Sequence, residues 1–144
     1  MLVQQILKSK ADQGVVTVQP GTSLQDAAKI LSDKRIGTVV ISRDGTTPDG
    51  ILSERDIVRE LGIHGAECLA RNVDDVMTKK LITCTLEATA DSVLSTMTER
   101  RFRHMPVMQD GKMVGIVTLG DVVKSRLNEL RMEKDALEGM IMGY

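Results

Sequence analysis

Apolar residues along the chain form short runs and helical stripes in a fixed order. Residues 15–18 and 36–41 are rich in β-branched side chains, a pattern that predicts strands. Residues 50–52 predict a third strand, and a helix is expected from Ser53 to about Leu61. Between the first two strands, apolar residues recur at the spacing of an amphipathic helix, at Leu24, Ala27, Ala28 and Leu31. The first half of the chain therefore predicts the order strand, helix, strand, strand, helix.

The same order returns 65 or 66 residues later. Residues 81–84 predict a strand, residues 102–107 match residues 36–41, and Asp110-Gly111 predicts a hairpin turn. A second helical stripe consists of Ala90, Val93, Leu94 and Met97. Each copy is too small to bury a large core alone. The sequence thus predicts an α/β (α+β) fold of two β-α-β-β-α repeats, packed sheet to sheet with pseudo-twofold symmetry.

The segments outside the repeats also carry patterns. Residues 1–10 predict a short amphipathic helix on the body, residues 64–72 a connector, and Thr22 with Gln25 a capping box. The expected domains are residues 1–64, the first repeat with the N-terminal helix, and residues 65–144, with the connector, second repeat and C-terminal helix.

A long helix is predicted from Asp121 to about Met142. It carries a heptad seam of apolar residues with Lys134 in one polar place, namely Val123, Leu127, Leu130, Leu137 and Ile141. The seam favours pairing with the helix of a second copy, a homodimer. The alternative is a helix laid over its own module together with residues 2–7.

Composition narrows the possible functions. The chain has 144 residues, a single Phe and a single Tyr, so its core must be aliphatic. Nineteen basic and twenty acidic residues argue against a nucleic-acid binder. Cys68 and Cys84 form no metal-binding spacing with the histidines and are expected to be reduced thiols of a cytoplasmic protein. We expect no signal peptide and no membrane span.

No catalytic constellation stands out. Ser23 and Ser53 have no histidine in a triad-like motif, and Cys84 has no obvious base. The segment 115–121 is not a Walker A sequence, and no GxGxxG follows a strand. The expectation is a protein that is not an enzyme and has no catalytic cofactor.

Two segments at the strand-to-helix junctions resemble a known family. Gly50-Ile51-Leu52-Ser53-Glu54-Arg55-Asp56, after residues 17–20 and 36–41, resembles one cystathionine-β-synthase (CBS) domain. Residues 102–107 with Gly115 to Asp121 resemble a second, so the resemblance covers about residues 15 to 125. It implies a Bateman module, which senses AMP, ADP, ATP, NAD or S-adenosylmethionine. It also implies that Ser53 with Asp56, and Thr118 with Asp121, bind phosphate and ribose.

The residues themselves allow two interpretations of these junctions. Free N–H groups at a helix start favour an anion near Thr118, and Asp121 could accept from ribose hydroxyls. The alternative is that Thr118 only caps the helix and Asp121 is an acidic residue suited to its first turn.

Further candidate residues flank the second strand of each repeat. Arg101, Arg103 and His104 are predicted to contact phosphate, whereas Lys34, its equivalent Arg100, and Arg35 could instead lie on solvated helix ends. An apolar slot for adenine is expected from aliphatic side chains, for each of which ordinary core is the alternative: Ile82, Met105, Pro106, Val18 and Val39. Backbone groups at Thr17 and Thr83 could bind the base edge.

The functional expectation is a regulatory module that binds an adenine nucleotide and signals to an unknown regulated protein. Because Arg103 and His104 favour phosphates over cationic S-adenosylmethionine, AMP is expected first, with NAD(H) or ATP next. The first repeat has Gly37-Thr38 where the second has Arg103-His104, so the two clefts need not bind alike. The alternative is a scaffold dimer with empty clefts, and an enzyme comes third.

Overall fold

The computed structural model describes residues 1–10 and 14–142. In chain order the α-helices are α1 Val3–Ser9, α2 Leu24–Lys34, α3 Glu54–His64, α4 Ala90–Arg100 and α5 Leu119–Met142. The strands are β1 Thr17–Val18, β2 Thr38–Ile41, β3 Gly50–Ser53, β4 His104–Gln109 and β5 Lys112–Thr118. The connector is longer in the structure than the predicted residues 64–72: it runs over residues 65–82 and contains short 3₁₀ helices at Ala66–Ala70 and Val73–Asp75.

Two small sheets form the centre of the molecule. In the first sheet β1 is parallel to β2, and β2 is antiparallel to β3. In the second sheet β4 and β5 form an antiparallel hairpin. Its turn residues Asp110 and Gly111 have φ of 52° and 77°, so the predicted two-residue hairpin turn is confirmed.

The prediction of a regular strand over residues 81–84 is wrong. A single parallel bridge joins Cys84 to Val107. The Cys84 N–H donates to the Pro106 carbonyl at 3.0 Å, and the Met108 N–H donates to the Cys84 carbonyl at 2.8 Å. Beside this bridge the β4–β5 register shifts: Val107 faces Gly115 and Met108 faces Met113, so the extra residue of the bulge is Val114 on β5. Residues 81–83 form no bridge to β4, and the pairing does not extend as it does between β1 and β2.

The predicted capping box at Thr22 and Gln25 is also wrong. The N-cap of α2 is Ser23, whose hydroxyl accepts from the Asp26 N–H at 3.1 Å. The Thr22 hydroxyl instead donates to the Gln19 carbonyl, and the Thr22 carbonyl accepts from the Val73 N–H. Because the connector binds the Thr22 carbonyl, Thr22 lies outside α2 and the N-cap is the next residue, Ser23.

Each repeat is completed by the segment that precedes the other repeat. Helix α1 packs with α4, β4 and β5 through Val3 and Ile6, so residues 1–10 lie on the second repeat, whereas the predicted division grouped them with the first. Val73 of the connector packs into the core of the first repeat. The division of the chain at residues 64 and 65 stays a prediction, but the packing crosses it in both directions.

The strand glycines let these segments approach closely. A Cβ on Gly115 would lie 2.9 Å from both methyl carbons of Leu7 in α1. A Cβ on Gly50 would collide with the Met77 side chain and lie 3.1 Å from the Thr78 carbonyl oxygen. Leu7 and Met77 therefore occupy equivalent places, 70 residues apart.

The two sheets face each other across a small apolar layer. Val40 and Ile51 of the first sheet pack with Met113 of the second, and Met108 and Ile116 lie against them. This confirms the predicted sheet-to-sheet packing of two repeats.

Helix α5 is packed at its beginning and exposed beyond. Val122 and Ser125 are buried against the body, and Glu129 accepts from the N-terminal amine of Met1 at 2.7 Å. The predicted seam from Val123 to Ile141 is exposed on solvent, with Leu137 60% exposed. The alternative of a helix laid over its own module thus applies to the first turns alone. Within the described residues, no helix has the length and apolar character of a membrane span.

Candidate functional site

A cavity of about 910 Å³ opens where the two strand-to-helix junctions meet. The first repeat contributes Gly37, residues 53–56 and Arg59, and the second contributes the α4–β4 turn and residues 118–120. The connector closes one side with Thr78 and residues 80–82. The cavity therefore lies between the repeats, as the sequence predicted.

The two junctions have the same local structure. The Ser53 N–H donates to the Asp56 carboxylate at 2.9 Å, while the Asp56 N–H donates to the Ser53 hydroxyl at 3.2 Å. The Thr118 N–H donates to the Asp121 carboxylate at 2.9 Å, and the Asp121 N–H donates to the Thr118 hydroxyl at 3.1 Å. Both junctions are reciprocal capping boxes, so the capping interpretation describes part of what these residues do.

The two carboxylates differ in their basic partners. Asp56 pairs with Arg59 at 2.7 Å, one turn along α3. Asp121 pairs at 2.8 Å with Lys10, which also donates to the Ile116 carbonyl at 3.0 Å. Burial opposes ionisation of Asp121, but hydrogen bonds from Lys10 and Thr118 outweigh burial, and the pKa of Asp121 lies below its usual value. The cavity is lined by Asp56, whereas Asp121 is outside its lining.

The α4–β4 turn brings three cations to the cavity, the predicted Arg101 and Arg103 and also Arg100, for which a solvated helix end was the favoured interpretation. Arg101 is the C-cap of α4 with φ 57° and ψ 48°, and the left-handed backbone turns the chain so that Arg100, Arg101 and Arg103 all line it. The equivalent Arg35 has the same conformation, with φ 54°, but neither Arg35 nor Lys34 lines this cavity. The first repeat thus contributes its helix start, and the second repeat contributes both its helix start and its turn.

His104 lies across the cavity from the first repeat. It pairs with Thr118 in the β4–β5 ladder, as Thr38 pairs with Ser53 in the first sheet. A Cβ on Gly37 would lie 3.6 Å from a Glu54 carboxylate oxygen and 4.0 Å from His104 Nε2, so Gly37 leaves these side chains room. Burial, and then the positive charges of Lys10 and Arg103, lower the pKa of His104. The imidazole is therefore neutral at pH 7.

The predicted apolar residues fall into two groups. Ile82 lines the main cavity, where Phe102 and Leu119 add apolar surface. Val18, Val39 and Pro106 are buried and lie outside its lining, as do Thr17 and Met105. Thr83 and Met105, with Ile82, line a second cavity of about 310 Å³ beside α4. For Val39, which is fully buried, the ordinary-core interpretation describes its position.

Several cavity residues were missed by the sequence analysis. Arg55 and Arg59 lie one helical turn apart at the start of α3, a spacing that could have placed them beside Asp56. Lys80 carried a signal as well, because it follows Lys10 by the same 70 residues that separate Leu7 from Met77. Gly37 and Glu54 gave no signal, since their role depends on the neighbouring repeat.

Metal-ligating groups and the thiol of Cys84, which lines the second cavity, can be described from the structure. Within residues 1–10 and 14–142, no group of three or more His, Cys, Asp or Glu side chains could hold a metal ion. Burial raises the pKa of Cys84 to about 11, so this thiol is protonated at neutral pH and is not an activated nucleophile. The main cavity offers cations, the capping hydroxyls of Ser53 and Thr118, and the carboxylates of Glu54 and Asp56.

Comparisons with known proteins agree on one family. A family model, CBS domain, matches residues 5–63 and again residues 73–128. The mitochondrial CBS domain-containing protein CBSX3 of Arabidopsis thaliana is 33% identical, over 98% of this chain and 72% of its own length. The uncharacterized protein YlbB of Bacillus subtilis is 35% identical, over 69% of this chain and 68% of its own.

Solved structures give the same result. A CBS-domain containing protein from Agrobacterium tumefaciens is 39% identical with a TM-score of 0.82, covering 88% of this chain and 99% of its own. The CBS domain pair of protein MJ0100, in complex with 5′-methylthioadenosine and S-adenosyl-L-methionine, is 25% identical with a TM-score of 0.77, covering 90% and 98%. CBSX2 in complex with AMP is 27% identical with a TM-score of 0.71, covering 88% and 96%.

Proposed function

The chain belongs to the CBS-domain family, as a tandem pair of CBS domains, and from this premise we propose that it is a regulatory module that binds an adenine nucleotide between its two repeats. The observation that carries the proposal is the cavity of about 910 Å³, onto which both helix starts open. Its size is within the range of pockets for small molecules. Relatives crystallised with AMP and with S-adenosyl-L-methionine support an adenosine ligand.

The charge of the cavity favours a ligand that carries phosphate. Six of its lining residues are permanently basic, namely Arg55, Arg59, Lys80, Arg100, Arg101 and Arg103, against the carboxylates of Glu54 and Asp56. Arg59 pairs with Asp56, and the other five cations form no ion pair with a described residue. AMP is therefore our first candidate, with NAD(H) and ATP next, ahead of the cationic S-adenosylmethionine.

A nucleotide in this position would contact both repeats and the connector at once. Since a ligand shifts a conformational equilibrium through its different affinities for the two states, binding here would bias the relative orientation of the repeats. A regulated protein that prefers one orientation would then respond to the nucleotide. This is a signalling role, consistent with a site that has no activated nucleophile among the residues described.

The direct test is a thermal-shift panel of AMP, ATP, NAD, NADH and S-adenosylmethionine. A ligand at 100 times its dissociation constant stabilises the folded chain by about 2.7 kcal/mol, which corresponds to a rise in Tm of roughly 5–10 °C at this size. Arg103→Gln should reduce the shift with AMP, whereas Lys29→Gln, an exposed cation outside the cavity, should not. No response to any adenosyl compound would refute the proposal.

The exposed seam of α5 supports a second candidate, a structural module that forms a homodimer. Leu127, Leu130 and Leu137 are each at least 47% exposed, and Val58 and Ile63 of α3 are 66% exposed. Pairing would remove this apolar surface from water. Leu130→Glu should shift the mass measured by light scattering from dimer to monomer, while Val114→Glu, on an exposed residue of β5, should not. A stable dimer that binds no adenosyl compound would favour the scaffold over the sensor.

A further inference from the structure

We infer that Lys10 closes one of the two equivalent junctions, so that the ribose of a bound nucleotide is held by Asp56 and not by Asp121. This inference rests on the proposed function, because it assigns positions within the same cavity. It makes Lys10 a residue that decides which carboxylate is available, although Lys10 lies outside the lining of the cavity.

Lys10 is fixed on the Asp121 side by two bonds. Its ammonium lies 2.8 Å from the Asp121 carboxylate and 3.0 Å from the Ile116 carbonyl oxygen, on the strand that leads into the junction. Both side chains are about three-quarters buried, at 25% and 23% exposure. Moving Lys10 away would break both bonds in a place partly shielded from water and would leave the Asp121 carboxylate without its hydrogen-bonding cation. A ribose at Asp121 would have to compete with this arrangement.

The partner of Asp56 is an exposed arginine that belongs to the cavity lining. Arg59 approaches from the next turn of α3, is 59% exposed and itself lines the cavity, while the Asp56 side chain is 13% exposed. Because the Arg59 guanidinium already lies at the cavity surface, it can exchange the carboxylate for a phosphate of the ligand. Asp56 would then keep the hydrogen bonds from Ser53 and use its other oxygen for a ribose hydroxyl.

The pseudo-symmetry of the two repeats shows that the difference between the two junctions depends on where one lysine lies. Lys80 follows Lys10 by the same 70 residues that relate Met77 to Leu7, so it is the equivalent residue beside the first junction. Lys80 is exposed, lines the cavity and forms no ion pair with a described residue. The same position therefore closes one junction and leaves the other open.

The consequence is an oriented site for one nucleotide per chain. The ribose lies at Asp56, and the phosphate extends toward Thr118, Gly120 and the cations of the α4–β4 turn. The N–H groups of Thr118, Leu119 and Asp121 already donate within the protein, so the second helix start offers the phosphate the Thr118 hydroxyl and the Gly120 N–H, with the charge of Asp121 offset by Lys10. Two equivalent junctions in sequence thus give two different functions, one for ribose and one for phosphate.

Calorimetric titration with AMP and with 2′-deoxy-AMP tests this assignment in the full chain. We expect one AMP per chain, and Asp56→Asn should weaken AMP by about tenfold or more, the loss of one charge-assisted hydrogen bond. Asp121→Asn should change the affinity less than about threefold. The preference for AMP over 2′-deoxy-AMP should disappear in Asp56→Asn and persist in Asp121→Asn. The two variants are matched, since each asparagine keeps an acceptor for its capping N–H, and thermal unfolding of each checks the fold.

Lys10→Met completes the test by removing the ammonium while keeping an apolar stem. We expect a second, weaker AMP site to appear in this variant. The inference is overturned if Asp121→Asn weakens AMP as much as Asp56→Asn, if the unaltered chain binds two AMP, or if Lys10→Met gains no second site. Each of these outcomes leaves the proposed function intact, whereas failure of the unaltered chain to bind any adenosyl compound refutes both.

Discussion

The ion pair between Lys10 and Asp121 should stabilise the fold measurably, which can be tested apart from any ligand. The perturbation is a double-mutant cycle with Lys10→Met, Asp121→Asn and the double variant. Methionine keeps the unbranched stem of the lysine, and asparagine keeps an acceptor for the Thr118 N–H, so the cycle isolates the contact between the two charges.

The magnitude follows from the exposure of the pair. Fully exposed ion pairs contribute about 0.2–1 kcal/mol, and hydrogen bonds to charged groups in less exposed places contribute about 1.5–3 kcal/mol. Lys10 and Asp121, at 25% and 23% exposure and 2.8 Å apart, lie between these cases. We expect a coupling of about 1 kcal/mol, near the boundary of the two ranges. The single variant Lys10→Met should lose more than this coupling, because it also removes the bond to the Ile116 carbonyl.

Urea unfolding at fixed protein concentration is the assay, with Lys134 and Glu138 as the control pair. Those two side chains lie 3.7 Å apart on α5, are 73% and 60% exposed, and should couple by no more than about 0.5 kcal/mol. Because the folded-state pKa of Asp121 lies below its unfolded value, the stabilisation is present at neutral pH and disappears as pH falls through the folded-state pKa. Equal coupling in the two pairs, or a Lys10–Asp121 coupling that survives protonation of the carboxylate, would refute the reasoning.

Further predictions concern His104 and two glycines, Gly50 on β3 and Gly62 on α3. Since the pKa of His104 is lowered by burial and by Lys10 and Arg103, a bound phosphate should raise it. As the pH falls toward that pKa, calorimetry should show the ratio of AMP affinities between the unaltered chain and His104→Gln increasing, a ratio that cancels the protonation of AMP itself, and adenosine should show no such trend. Gly50→Ala should destabilise the fold by about 1–3 kcal/mol, because its Cβ meets Met77 and the Thr78 backbone. Gly62→Ala, with nothing within 4 Å on α3, should stabilise by up to about 1 kcal/mol in the same urea assay, and a shared sign would contradict the packing argument.

Much of the fold could be predicted because the two repeats carry the same local signals. The stripes of apolar residues at helical spacing gave α2 and α4, and the Asp110-Gly111 pair gave the β4–β5 hairpin. These signals depend on residues close together in sequence, and they occur twice, which strengthens each copy. Membership of the CBS-domain family, predicted from the two junction segments, is confirmed by both family matches. The cytoplasmic location stays a prediction.

The predictions that the structure contradicts concern features that depend on contacts between distant segments. The sequence of residues 81–84 has good strand propensity, but only Cys84 pairs with β4, and which of these residues meets a partner strand depends on distant segments that no local pattern reveals. The cap of α2 lies at Ser23 instead of Thr22 because the connector binds the Thr22 backbone. The position of α1 on the second repeat was missed for the same reason, since an amphipathic stripe shows that a helix is buried but not which core it joins.

The candidate site shows most clearly the difference between local signals, which the sequence reveals, and contacts between distant segments, which it does not. Thr118 with Asp121 and Ser53 with Asp56 could be found from sequence, because a hydroxyl and a carboxylate three residues apart at a helix start form a local unit. What differs between the two units is the cation beside each carboxylate, and Lys10 comes to Asp121 from the opposite end of the chain. Asp56 meets only its helical neighbour Arg59 among the described ion pairs. A duplicated motif therefore predicts where a ligand could bind, whereas the segment that crosses over from the other repeat decides which of the two copies is free to bind it.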